Sequence, residues 1–216
     1  TKVDLNEVTE IGNYAFGYSA GLSDIDLSGV VTLGNGAFAN CGALKTVELD
    51  CLESMGDSAF FRCEALESVT FGDKLKKIPR QAFYFCSGLT SVELTHIESV
   101  GEYGFGYCGN LTEVTFGDSL QKLEADSFSS TKLARVTLPA SLQSIDNWAF
   151  GSIRTLSEVI VDSQAAADSI LAGSNKIVAY AATLRFKDTL TVSEEGLNSL
   201  GYTKGASENG YTVYTK

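Results

Sequence analysis

Five cysteines, one histidine and a surplus of carboxylates are the residues of this chain that could make bonds or hold metals. Cys41, Cys63, Cys86 and Cys108 recur every 22 or 23 residues, each three residues after a phenylalanine. Ser19, Thr131 and Ile153 fill the same slot elsewhere, so the slot reads as a small, buried packing position. Equivalent residues on stacked parallel coils stand ~4.8 Å apart and point the same way. A disulfide needs Cβ atoms that converge to ~3.5–4.5 Å, and zinc needs four ligands converging tetrahedrally. A line of thiols offers neither, so free cysteines are expected, with no metal and no cofactor. Cys51 lies off the line, in a turn between copies, and is the thiol expected to react. Repeated free cysteine suits an anaerobic setting better than an oxidising one.

The remaining chemistry is thin. His96 aligns with Glu7, Gly29, Cys51, Lys74, Ser119 and Ser141 of the other copies, an exposed turn set. A triad would need a nucleophile and an orienting carboxylate around it, in a pocket. Paired carboxylates on an open surface lack the desolvation that separates their pKa values for acid–base work. No phosphate loop, dinucleotide fingerprint or zinc motif is present. No catalytic residue is assigned, and the expectation is a protein that is not an enzyme.

Charge narrows the partners. The 216 residues carry 16 Lys and Arg against 27 Asp and Glu, a formal net charge of −11. Nucleic acid and anionic membranes bind through cationic side chains, so both are excluded as expected partners. No run approaches the ~20 apolar residues of a membrane helix, and no signal peptide lies in this stretch. An acidic surface serves solubility, or it recruits a basic partner or a cation.

The elements that must position these residues follow from one period. Phe16, Phe38, Phe60, Phe83, Phe105, Phe128 and Phe150 recur every 22 or 23 residues. Each precedes a leucine by five or six positions, and three residues beyond it comes an apolar-x-apolar triplet such as Val47-x-Leu49 or Val92-x-Leu94. Alternation with β-branched residues predicts a short strand with one buried face. A period in the twenties predicts a solenoid, whose coils bury their cores only by stacking. Ala37-Phe38 and its equivalents are placed on a short helical turn opposite the strand. Gly12, Gly34, Gly56 and Gly101, four residues before the phenylalanine, mark a turn needing positive φ or close coil approach.

Leu33-Gly34-Asn35-Gly36-Ala37-Phe38, continued by Cys41, Leu44, Val47 and Leu49, resembles the repeat unit of the BspA-like leucine-rich repeat family. The resemblance runs over roughly residues 3–162 in about seven copies. It implies a leucine-rich-repeat-like parallel β-solenoid with short concave strands and helical turns on the convex side. It also implies a secreted or cell-surface protein of host-associated bacteria, linked to adhesion. The expected partner is then a protein such as a host matrix component or receptor. Carbohydrate binding through exposed aromatics and a plain structural spacer are the alternatives.

Both ends differ from the repeat. Val3-x-Leu5 fits the strand triplet, so numbering starts inside a coil; solenoids need polar end caps, and a truncation or atypical start is expected. Residues 163–216 read as a C-terminal α+β cap over the last coil, or as a small docking module. Within them a helix over 165–172 is predicted to stop at Gly173-Ser174-Asn175. A second is predicted from Ser193 through Leu200, and a hairpin over 202–214 around Ser207-Glu208-Asn209-Gly210.

Two surfaces are candidates for binding. Outward positions of the concave strands are Asp24, Asp26, Glu48, Asp50, Thr70, Glu93, Glu113 and Thr115. Calcium at Asp24, Asp26, Glu48 and Asp50 is disfavoured because no Asp/Gly loop repeats there. The second surface is aromatic and convex: Tyr14, Tyr18, Phe61, Tyr84, Phe85, Tyr103, Tyr107 and Trp148 flank the core phenylalanines, and Tyr18, Phe61, Tyr84, Tyr107 and Trp148 are its binding candidates. Tyrosine serves well at interfaces because one end is apolar and the other polar.

Overall fold

The computed structural model describes residues 2, 3, 5, 7–173 and 175–216. Asp4, the middle of the first triplet, and Ser174, in the predicted helix stop, lie outside the described residues.

The triplets after the first form the predicted strands, lengthened to four residues from Thr46–Leu49 onward. They are Asp24–Ile25, Thr46–Leu49, Ser68–Phe71, Ser91–Leu94, Glu113–Phe116, Arg135–Leu138 and Glu158–Val161. Pairing is parallel and in register, Glu48 opposite Thr70 and Thr115 opposite Glu93. Val47 and Leu49 are buried while Thr46 and Glu48 are exposed, as period-2 alternation requires.

A second parallel ladder was not expected. The residues between each triplet and the next turn form two-residue strands: Glu10–Ile11, Thr32–Leu33, Ser54–Met55, Lys77–Ile78, Ser99–Val100, Lys122–Leu123 and Ser144–Ile145. Each coil thus contributes a long strand, a short strand and a turn, with one apolar core running between them.

That core is organised by the phenylalanines. From Phe38 to Phe150 every repeat phenylalanine is fully buried. Successive rings from Phe16 onward lie 5.1–5.5 Å apart and within 12° of parallel. Stacking at that separation adds to area burial.

The helical turn opposite the long strand takes the form of consecutive tight turns, in which alternate amides serve two ladders. Within a coil, Ala37 N bonds Gly34 O and Cys41 N bonds Phe38 O. Between coils, Phe38 N bonds Ala59 O and Asn40 N bonds Phe61 O, at 2.8 and 2.7 Å. This alternation goes with left-handed backbone two residues before and two after the phenylalanine from Phe16 to Phe128, and only after it, at Ser152, for Phe150. Gly36 takes the first position in its coil at φ 57°, but Tyr14, Tyr18, Arg62, Phe85, Tyr103 and Tyr107 hold such positions at φ 54–63°. The glycine four residues before the phenylalanine is not left-handed; at Gly34, Gly56 and Gly101 it is there for close approach. A Cβ on Gly56 would stand 2.4 Å from Asn35 N.

Residues 163–216 continue the long-strand sheet and then reverse it. Ser163 caps the helix Gln164–Leu171 by accepting from Ala166 N, and Gly173 follows with φ 74°. After the short helix Ile177–Tyr180, strand Thr183–Lys187 pairs parallel with Glu158–Val161. Ser193 caps the helix Glu194–Ser199. Strands Thr203–Glu208 and Tyr211–Thr215 make the hairpin, turned at Asn209 and Gly210 with φ of 52° and 81°. Two consecutive positive φ values give the turn whose twist suits a two-residue hairpin.

Candidate interaction surfaces

All eight outward candidates of the long strands are exposed, on one continuous face. Asp24, Asp26 and Glu48 border one shallow depression together with Ser28 and Thr46. Glu93 and Glu113 stand on neighbouring strands, opposite Thr115 and Ser91. Asp26 is partly committed to its own turn, accepting from Ser28 N at 3.0 Å and Ser28 Oγ at 2.7 Å. Among the described residues no ion pair reaches Asp24, Glu48, Asp50, Glu93 or Glu113.

The other end of the same face is self-neutralised. Glu158, its side chain 14% exposed, pairs with Arg135 and with Arg185, and Arg185 reaches Glu208 at 3.3 Å. Partial burial pushes the Glu158 carboxyl up, but hydrogen bonds from both guanidinium groups outweigh it and hold the group below its ordinary value. Arg135 sits opposite Glu158 and Arg185 one strand further on, so the network straps strand Thr183–Lys187 to the last repeat strands.

The aromatic candidates separate into one cluster and two outliers. Phe61 stacks on Tyr84 at 5.6 Å, and Tyr84 meets Tyr107 at 5.4 Å. Phe85 and Tyr103 complete the cluster, Phe85 stacking on Tyr107 at 4.9 Å and Tyr103 meeting Tyr84 edge-on. Arg62 lies over the ring of Phe85, 5.3 Å from its centroid, and pairs with Glu64. The charge of Asp126, with burial and a hydrogen bond, raises the Tyr103 pKa. Tyr18, 75% exposed, and Trp148, 50% exposed, stand apart; Trp148 instead carries Lys176 Nζ over its ring at 4.5 Å.

The cysteine ladder is structural. Cys41, Cys63, Cys86 and Cys108 are free and buried, and each thiol donates to the phenylalanine carbonyl of the preceding coil at 3.1–3.2 Å. Burial raises all four pKa values, that of Cys108 to about 12. Among the described residues no three His, Cys, Asp or Glu side chains converge as a metal site would need.

The model of the BspA type leucine rich repeat region matches residues 1–96 and 76–176, in six copies. The chain belongs to the BspA-type leucine-rich repeat family. None of the curated proteins compared matches it. Among solved structures, this BspA-type chain is similar to a leucine rich cell surface protein from Faecalibacterium prausnitzii, at 30% identity and a TM-score of 0.63, over 72% of this chain and 43% of that one. A leucine-rich repeat protein from Eubacterium ventriosum is 28% identical with a TM-score of 0.60, over 69% and 44% of the two chains. One from Bacteroides ovatus, 24% identical with a TM-score of 0.63 over 72% and 47%, shares the fold. The chain spans less than half the length of these three proteins.

Sequence reasoning placed Phe61, Tyr84, Phe85, Tyr103 and Tyr107 together on the BspA-type turns but did not join Arg62 to them. The signal was available. Arg62, Phe85 and Tyr107 all lie two residues after a repeat phenylalanine, so a 22–23-residue period stacks them on one another.

Proposed function

We propose that this domain is a non-enzymatic protein-interaction module that binds a basic partner through the outer face of its long strands. The observation that carries the reading is that, among the described residues, no ion pair reaches Asp24, Glu48, Asp50, Glu93 or Glu113, on a face whose other end is paired through Glu158, Arg135 and Arg185. Like charges at strand spacing repel, so a cationic partner relieves a cost the fold itself bears. A rigid solenoid presents such a face with little ordering penalty. Adhesion at a bacterial surface or after secretion, with a host extracellular protein as partner, is the setting this reading takes from the family. In it, residues 163–216 act as the cap that closes the last coil.

The test is binding to a panel of basic extracellular matrix and receptor proteins across a salt titration, beside a Glu48→Lys, Glu93→Lys, Glu113→Lys triple variant. Binding that weakens with salt and disappears in the variant supports the reading. Binding that the folded variant keeps in full would overturn it.

A further inference from the structure

The turn ladder carries a second surface whose chemistry differs from that of the acidic sheet. Positions two residues after the core phenylalanine stack along the solenoid as Arg62, Phe85 and Tyr107, with the two rings 4.9 Å apart and the guanidinium 5.3 Å from Phe85. The next coil has only Ser130 at this position. The stack therefore ends on Tyr107, which has one face against Phe85 and is 41% exposed. Tyr84 braces this column from the side, touching Phe61, Phe85, Tyr103 and Tyr107.

The same residues carry backbone strain, as Tyr14 and Tyr18 of the first coil also do. Phe85, Tyr103 and Tyr107 have φ of 60°, 56° and 59°, a region that glycine and asparagine enter at least cost and bulky side chains rarely occupy. Other coils meet the same requirement with Asn40, Ser58, Ser130 and Ser152. The ladder does not need aromatics there, and three of them gathered in adjacent coils at strained positions point to display.

We infer that the Tyr107 ring, flanked by Tyr84, Tyr103 and Asp126, is a stacking site for a neutral oligosaccharide. A sugar ring has an apolar C–H face that covers an aromatic ring and a rim of hydroxyls that need polar partners. Among the described residues, the hydroxyls of Tyr84 and Tyr107 make no hydrogen bond and are free for that rim, and the Asp126 carboxylate beside Tyr103 is an acceptor. Charge selects against ionic ligands: the cation of the patch, Arg62, is matched by Glu64 at 3.5 Å and occupies Phe85, and the chain as a whole repels anions. An anionic glycan is therefore excluded, and the patch offers a cation less than the acidic sheet does.

The experiment is an array of neutral and acidic oligosaccharides, followed by titration of the best neutral ligand into the native chain and three variants. Neutral sugars are expected to bind with affinities that change less than about twofold between ~0.05 M and ~0.5 M salt. Tyr107→Ala is expected to weaken binding about tenfold or more, and Tyr107→Trp to retain it, because the stacked face is what matters. The Glu48→Lys, Glu93→Lys, Glu113→Lys variant is expected to bind sugar as the native chain does, so this site and the acidic sheet succeed or fail separately. Circular dichroism establishes that each variant is folded. No neutral ligand on the array, or binding that survives Tyr107→Ala, would overturn the assignment.

Discussion

Single atoms decide several positions of the repeat. Gly56 faces backbone of the preceding coil so closely that an added Cβ would meet Asn35 N at 2.4 Å, whereas at Gly12 nothing lies within 4 Å. The same position is therefore demanding in one coil and free in another. Gly56→Ala is expected to cost about 1–3 kcal/mol, the range for forced overpacking, while Gly12→Ala stays within about 0.5 kcal/mol; denaturant unfolding of the two variants checks this. Thiols divide in the same way. The four ladder cysteines are buried, protonated donors, and Cys51 is half-buried in a turn. Brief alkylation of the native chain followed by mass spectrometry should label Cys51 alone, and unfolding should release the other four. The buried slot was legible from residues 19, 131 and 153 sharing it with cysteine. The thiol-to-carbonyl bond was not, because a slot that accepts Ile153 as well as Cys41 advertises size and not hydrogen bonding.

At the scale of elements, period alone places the phenylalanine column and the long strands, since 22 or 23 residues bring like onto like. Truncating a central ring removes its stacking on both neighbours: Phe83→Ala should cost about 3–5 kcal/mol. Phe16, only partly buried and stacked on one side, should cost less when truncated, and a chevron comparison of the two variants measures the difference. The short strands escaped the sequence reading because two residues cannot show a period of two. The left-handed turn positions escaped it because Tyr, Arg, Gln and Ser occupy them in place of glycine or asparagine. Glu158 tests how the last element is attached. Its folded-state pKa lies below the unfolded value of ~4.3, so its contribution is present above that pH and lost as pH falls through the folded value. Protection factors of the Thr183–Lys187 amides, exchange rates normalised to the intrinsic rate at each pH, should therefore fall on acidification below about pH 4, and Glu158→Gln should abolish that dependence at a cost of about 1–3 kcal/mol.

For the molecule as a whole, one charge distribution has two opposite consequences. A net charge of −11, with no ion pair reaching Asp24, Glu48, Asp50, Glu93 or Glu113 among the described residues, makes the folded chain repel itself, and added salt screens that repulsion. Salt should therefore raise the unfolding midpoint. The same ions screen attraction to a basic partner, so salt should weaken association, chiefly through the on-rate. Reversing Glu48, Glu93 and Glu113 to lysine adds two positive units at each position and moves the net charge from −11 to −5. Both slopes should flatten in that variant, and its midpoint at low salt should rise by about 2 °C. Thermal melts and binding kinetics over one salt series separate the outcomes. A midpoint that rises with salt beside an on-rate that ignores it would mean that the acidic face serves solubility alone. The partner would then have to dock elsewhere, with the aromatic ladder between Arg62 and Asp126 as the next surface to vary.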